Sequence, residues 1–223
     1  MKKRAVPIVK EALLAALILL LFTVAFGHLA GELSENELIY FDESVIRVVQ
    51  GTITPQLTAV MKGFTFFGST FALCLFLLIA AVLMIWRKKR WEALMLAIAV
   101  GGGGLFNLLL KWIFQRERPN VNRLIEEAGY SFPSGHSMSS FIFYGMLGAL
   151  FFIFFESKWP KLFIALLSVI VVLTVGISRI YLGVHYPSDV IAGYAAGGVW
   201  LVISFMALRT ILHYRRRAVR SAG

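Results

Sequence analysis

Six stretches of this chain carry no Asp, Glu, Lys or Arg: residues 12–31, 63–86, 93–110, 137–155, 162–178 and 190–208. Each is long enough for a helix to cross a hydrocarbon layer of about 30 Å at a rise of ~1.5 Å per residue. The apolar residues run continuously rather than alternating, which excludes the strands of a membrane barrel. A backbone in lipid must satisfy its own hydrogen bonds, so such runs form helices. The expected fold is therefore all-α: one domain spanning 1–223, an integral membrane bundle of six transmembrane helices. A mean hydropathy of +0.78 with 59% hydrophobic residues excludes an ordinary soluble domain. The basic start "MKKR" resembles that of a secretory signal, but no small-residue cleavage site follows and five more runs do, so the first run is kept as an anchor.

The formal charge of +10 at first suggests a nucleic-acid partner. Sorting the charges by side argues against one. If the N-terminus is cytoplasmic, the inner segments "MKKRAVPIVK", "WRKKRW", "ESKWPK" and "RTILHYRRRAVRSAG", with flanking Glu11 and Glu92, hold 15 of the 22 Lys+Arg and 3 of the 12 Asp+Glu. That is the positive-inside distribution, with both termini cytoplasmic, and the basic clusters serve topology and anionic lipid. The single cysteine, Cys74, cannot form an internal disulfide and is expected to fill core space. No His/Cys cluster has metal-ligand spacing, so no metal or cofactor is expected.

Two features serve the architecture. In the first outer loop, residues 32–62, Leu38, Phe41, Val45 and Val48 fall on one helical stripe, and Ser34 with Glu37 fits a capping box. This predicts a short amphipathic helix on the outer interface, either a connector packed on the bundle or an element shaping a lipid access route. The Gly101–Gly104 run and the Gly193/Gly197 pair lie inside spans; small residues there let helices approach closely, with a hinge as the alternative.

The unusual polar residues gather at four helix ends on one side. "KWIFQRERP" closes the third span, "PSGHS" opens the fourth, and "SRIYLGVHYPSD" joins the fifth to the sixth. Lys111, Arg118, His136, Arg179, His185 and Asp189 thus share one depth, where charge is expensive and marks function. Three cations suit a phosphate dianion, which arginine grips by two parallel donors. Ser134 is placed to cap the fourth helix, aiming N–H groups and the positive end of the helix dipole outward. Gly135 lets backbone approach a ligand. Pro187 fits the first turn of the sixth helix, from which Asp189 reaches back to fix the tautomer of His185. His136 is placed to protonate a leaving oxygen. The set points to metal-free phosphoryl transfer through a phosphohistidine. His28 is expected to be a hydrogen-bonded interfacial residue, His213 has no role, and Arg116 and Arg123 are expected to be loop charges.

These residues resemble the type 2 phosphatidic acid phosphatases, integral membrane lipid phosphatases. Lys111, six residues, Arg118-Pro119; Pro133-Ser134-Gly135-His136; and Ser178-Arg179, five residues, His185, three residues, Asp189 match the three-part signature with its spacing. The resemblance implies that His185 is the nucleophile, Asp189 its orienting partner and His136 the acid. It implies that Lys111, Arg118, Ser134, Gly135 and Arg179 bind the phosphoryl group. Soluble acid phosphatases and vanadium haloperoxidases share the pattern but lack the spans. Size and loop lengths are most similar to bacterial phosphatidylglycerophosphatase B-type enzymes. The expectation is a multi-pass protein of the bacterial plasma membrane whose site faces outward. It would remove a terminal phosphate from phosphatidylglycerophosphate, phosphatidic acid or undecaprenyl pyrophosphate, with the bilayer and the lipid phosphate as its partners and no nucleic acid or obligate protein partner. The alternatives are a transporter or receptor for phosphate-bearing lipid, and a phosphotransferase of the same fold.

Overall fold

The computed structural model describes residues 5–35, 37–120 and 122–221. The basic cluster at 1–4 and residues 222–223 lie outside the described residues. Eight helices follow in chain order: α1 (Ala5–Ser34), α2 (Ile39–Gln50), α3 (Pro55–Phe66), α4 (Thr70–Trp86), α5 (Arg90–Phe114), α6 (Gly135–Phe154), α7 (Lys158–Tyr181) and α8 (Pro187–Ser221). Every charge-free run falls on helix, but the second is broken. Phe67–Ser69 interrupt it, α3 and α4 meet at 47°, and Ser69 caps α4 by accepting the Ala72 N–H. Among the described residues five helices are long and apolar enough to cross a membrane, or six if the bent pair is one span.

Helix α6 is the axis of the bundle. It packs against α4, α5, α7 and α8, while α1 lies on α8 and α3 on α7. Its Met138, Ile142, Phe143, Met146 and Leu150 are buried. Lipid is as apolar as these side chains, so close packing rather than escape from water holds the helices together. A Cβ on Gly193 would lie 2.8 Å from the Ser134 carbonyl, and one on Gly197 would lie 3.1 Å from that of Met138. The pair is therefore where α8 meets α6. Gly102 and Gly103 make room for the Trp200 ring, whose Nε1 donates to the Ala99 carbonyl at 2.8 Å. Close approach is thus the use of the Gly193/Gly197 pair and of Gly102 and Gly103, while a Cβ on Gly101 or Gly104 would meet nothing within 4 Å.

The outer connector differs from expectation in three ways. It holds two helices, α2 and α3. No capping box forms, because Ser34 ends α1 and its Oγ donates back to the Ala30 carbonyl at 3.0 Å. The inward face of α2 is rotated by about one residue. Leu38 and Asp42 are buried and Val49 packs inward, whereas Phe41 and Val48 are exposed. Asp42 turns in because its partners, described below, come from another part of the chain. Cys74 is exposed on α4 instead of filling the core. His28 pairs with Glu32 at 3.2 Å on the surface, as read.

Candidate active site

The polar residues of the three motif stretches meet at one end of the bundle. Left-handed Gln115 (φ 46°) ends α5 and turns the chain into the 115–134 loop. Ser131 N–H donates to the Arg116 carbonyl at 2.8 Å, and Leu124 N–H to that of Leu182 at 3.0 Å, so the loop is tied at both flanks. Ser134 caps α6, its Oγ accepting from the Ser137 N–H, while its own N–H donates to the Asp189 carbonyl at 2.9 Å. The first turns of α6 and α8 are thereby joined.

His185 sits in the turn between α7 and α8 and is 1% exposed. Its Nδ1 lies 3.4 Å from Asp189 Oδ2 and 3.3 Å from Ser131 Oγ. Asp189 Oδ2 also accepts from the Tyr186 N–H at 2.8 Å and from Ser131 Oγ. Arg118 Nη1 is 3.1 Å from His185 Nε2. A guanidinium can only donate, so Nε2 accepts and the ring proton belongs on Nδ1, toward Asp189. That tautomer leaves a lone pair on Nε2. Burial pushes the imidazole down to about 4; hydrogen bonding and charge from Asp189 oppose the shift, and Arg179 and Arg118 add to it.

Around Nε2 stand cations with one carboxylate among them. Arg179 is 1% exposed; its Nη1 donates to Thr65 Oγ1 at 2.8 Å and its Nη2 pairs with Glu127. Among the described residues its Nε is buried without an acceptor. Glu127 Oε1 is also 3.9 Å from Arg118 Nη2 and 4.0 Å from His136 Nδ1. Glu127 thus stands at the focus of Arg118, Arg179 and His136, where an anion is most favoured. Burial pushes its carboxyl up, but Arg179 and its neighbours outweigh this and hold it below the ordinary value. Arg118 also donates to the Gly129, Ala128 and Val184 carbonyls. Lys111 Nζ donates to the Tyr130 and Ser131 carbonyls.

Two readings change. Gly135 opens toward protein, since a Cβ there would lie 3.1 Å from Asn107 Oδ1. Arg116 is not a loop charge. It is largely buried, donates from Nη1 to Asp189 Oδ1 (2.6 Å) and Ser188 Oγ (2.8 Å) and from Nη2 to Asp42 Oδ2 (2.7 Å), and stacks 3.9 Å from the Tyr186 ring centroid. Burial opposes its charge, yet Asp189 and Asp42 more than compensate and raise it further above the ordinary arginine value. Arg123 is a loop residue, bonded to the Pro119 and Arg118 carbonyls. Sequence reasoning missed Asp42, Glu127 and Ser131. Asp42 had one signal, an acid inside an apolar stripe.

Two cavities flank the site. One of about 400 Å³ is lined by Arg118, Arg123, Glu127 and Tyr130, the other, of about 530 Å³, by Arg47, Gln50, His185 and Tyr186. Two larger cavities, of 630 and 770 Å³, are apolar grooves between helices and hold none of these groups. Among the described residues no group of His, Cys, Asp and Glu is arranged to hold a metal ion.

Fold and site define a polytopic helical membrane protein with a cluster of arginines, a lysine and two histidines at one end of the bundle. The PAP2 superfamily profile matches residues 92–212, more than half of the chain. The chain belongs to the PAP2 superfamily. It is 38% identical over 176 residues to phosphatidylglycerophosphatase B of Bacillus subtilis, covering 77% of this chain and 85% of that one. It is 31% identical over 137 residues to an undecaprenyl-diphosphatase of Sulfolobus acidocaldarius, covering 59% of this chain and 61% of that one. A crystal structure of a transmembrane PAP2 type phosphatidylglycerolphosphate phosphatase from Bacillus subtilis superposes with a TM-score of 0.80 at 28% identity, over 86% of this chain and 96% of that one.

Proposed function

We propose that this chain is a single-domain membrane lipid phosphatase that removes a terminal phosphate through a phosphohistidine, its motif-bearing core being 111–189. The observation that carries the reading is the incomplete cation cluster facing His185. Among the described residues Arg179 Nε is buried without an acceptor, and the cluster's anion position is taken by a carboxylate, a smaller stand-in for a phosphoryl group. Arg118, Arg179 and Lys111 would hold the phosphoryl oxygens, with the first-turn N–H groups of α6 behind them.

His185 Nε2 attacks phosphorus; the bond to the leaving oxygen breaks, and that oxygen takes a proton from His136. Water, deprotonated by His136, then attacks phosphorus, the P–N bond breaks, and the electron pair returns to Nε2. Asp189 holds the Nδ1 proton throughout and stabilises the charged ring.

The bent pair α3–α4 is read as one span, giving six. Arg87, Lys88, Lys89, Arg90, Lys158 and Lys161 lie at the end opposite the site. By the positive-inside rule both termini are then cytoplasmic and the site opens outward from a bacterial plasma membrane. A lipid phosphate keeps its tails in the bilayer while its headgroup reaches the rim. Phosphatidylglycerophosphate, phosphatidic acid and undecaprenyl pyrophosphate all fit this description, and the relatives' names favour the first and last.

The test is phosphate release by the purified protein in detergent, with chelator, from each of these three lipids. The expected result is turnover on at least one, blocked by vanadate, and a loss of ~10⁴-fold or more in His185→Ala. Vanadate-sensitive release surviving in His185→Ala would remove the nucleophile assignment. Tight lipid binding with no release would leave a receptor or transporter.

A further inference from the structure

We propose that Arg116 and Asp42 are positioning residues for the reaction, forming a buried brace that fixes the Asp189 carboxylate and the first turn of α8 from outside the pocket. The inference rests on the reading of His185 as nucleophile and goes beyond it, since neither residue belongs to the three-part signature.

Asp189 has to offer Oδ2 to His185 in one orientation. A carboxylate turns about its terminal torsion at little cost, so one bonded oxygen does not fix it. Here Oδ2 already serves Ser131, the Tyr186 N–H and His185 Nδ1. Oδ1 has a separate anchor, Arg116 Nη1 at 2.6 Å. The guanidinium is itself fixed in three directions: Asp42 Oδ2 at 2.7 Å, Ser188 Oγ at 2.8 Å and the Tyr186 ring. A planar fork held on both arms and stacked on a ring has lost its freedom to turn.

Asp42 closes the brace. Its Oδ1 accepts the Ser188 N–H at 2.9 Å, and its Oδ2 accepts Ser188 Oγ at 2.6 Å. An anion at a helix N-terminus satisfies an orphan donor and meets the positive end of the dipole. The cap of α8 thus comes from α2, far away in sequence. Charge explains why the pieces belong together. Without Arg116 two buried carboxylates, Asp42 and Asp189, would face each other across Ser188 with no cation between them. The brace lies behind the dyad, because Arg116 reaches Oδ1 and not the oxygen shared with His185. Its loss should therefore change turnover and spare phosphate binding.

The experiment compares wild type, Arg116→Met, Arg116→Lys, Asp42→Asn and the double variant Arg116→Met/Asp42→Asn, with His185→Ala as reference. Each is purified in detergent; orthovanadate binding by calorimetry gives the number of folded sites, to which kcat on phosphatidic acid is normalised. Arg116→Met is expected to lose about 100-fold in kcat per vanadate site, with KM and vanadate affinity within ~3-fold of wild type, as for a small misplacement of a reacting group. Asp42→Asn and Arg116→Lys are expected to lose about tenfold in the same pattern. The double variant is expected to be less impaired than Arg116→Met alone, because one unpaired carboxylate is gone. Should Arg116→Met not fold, the two mild variants carry the test. Unchanged kcat per site in both, or a loss confined to KM, overturns the proposal. Activity remaining in His185→Ala would instead overturn the nucleophile reading, whatever the brace variants do.

Discussion

The two faces of the His185–Asp189 pair are finished differently. Behind it, Arg116 meets two carboxylates and a hydroxyl at 2.6–2.8 Å, and every partner is buried. In front, Arg179 keeps one buried nitrogen unpaired among the described residues, Arg118 and His136 approach Glu127 only at 3.9–4.0 Å, and a cavity of about 400 Å³ lined by Arg118, Arg123 and Glu127 opens there. Both faces are rich in arginine, so charge alone does not tell scaffold from receptor. Their bonding differs: the partners behind are all short and buried, whereas in front a buried donor stays unpaired among the described residues.

Substitutions on either face sharpen this contrast, and the largest effect belongs between them. Asp189→Asn keeps the shape but changes the donor pattern at Nδ1, so kcat is expected to fall about 10⁴-fold with vanadate binding retained. A loss of less than tenfold would mean that the tautomer is set elsewhere. On the front face, Arg179→Lys keeps a charge but loses the planar fork. It is expected to lower kcat/KM about 100-fold, the equivalent of ~2.7 kcal/mol for charge-assisted bonds to the phosphoryl group. If kcat/KM holds, Arg179 serves Glu127 and Thr65 only. Glu127→Gln removes the anion that an incoming phosphoryl group must displace. Vanadate should then bind about tenfold more tightly, a gain of ~1.4 kcal/mol. Equal or weaker vanadate binding would show that Glu127 is not a competitor.

The smallest effect concerns acid. The His185 ring is held at about 4 in the fold, against 6.5 as the ordinary value. The unfolded chain therefore binds more protons in that window. The stability this group contributes is full above about 6.5 and is lost as pH falls toward 4. The melting temperature in detergent should drop from pH 6.5 to 4.5 more steeply for wild type than for His185→Ala. Parallel profiles would contradict the burial account.

Much of this was legible in the chain and some was not, for physical reasons. The six charge-free runs became helix because lipid leaves the backbone no other partner. The break in the second run was written as Gly68-Ser69, but turn residues inside an apolar run are easily read through. Motif spacing brought Lys111, Arg118, His136, Arg179, His185 and Asp189 to one end because helices of alternating direction have to return there. Asp42 escaped because helical periodicity knows only its own helix. The face that turns in is chosen by Arg116 and Ser188, whose positions depend on tertiary packing. Arg116 and Glu127 escaped for a related reason: a charge in an irregular loop shows its partner only once the loop is folded.

Because α8 receives its cap from α2, the outer connector is no ordinary surface loop. Insertions and deletions are usually absorbed where chain runs between spans. In residues 39–50 a shift of one position would carry Asp42 about 100° around the helix and away from Ser188. Tags, protease sites and loop exchanges are therefore better sited elsewhere, since this stretch caps α8 and bonds the arginine that meets Asp189, from far away in the sequence.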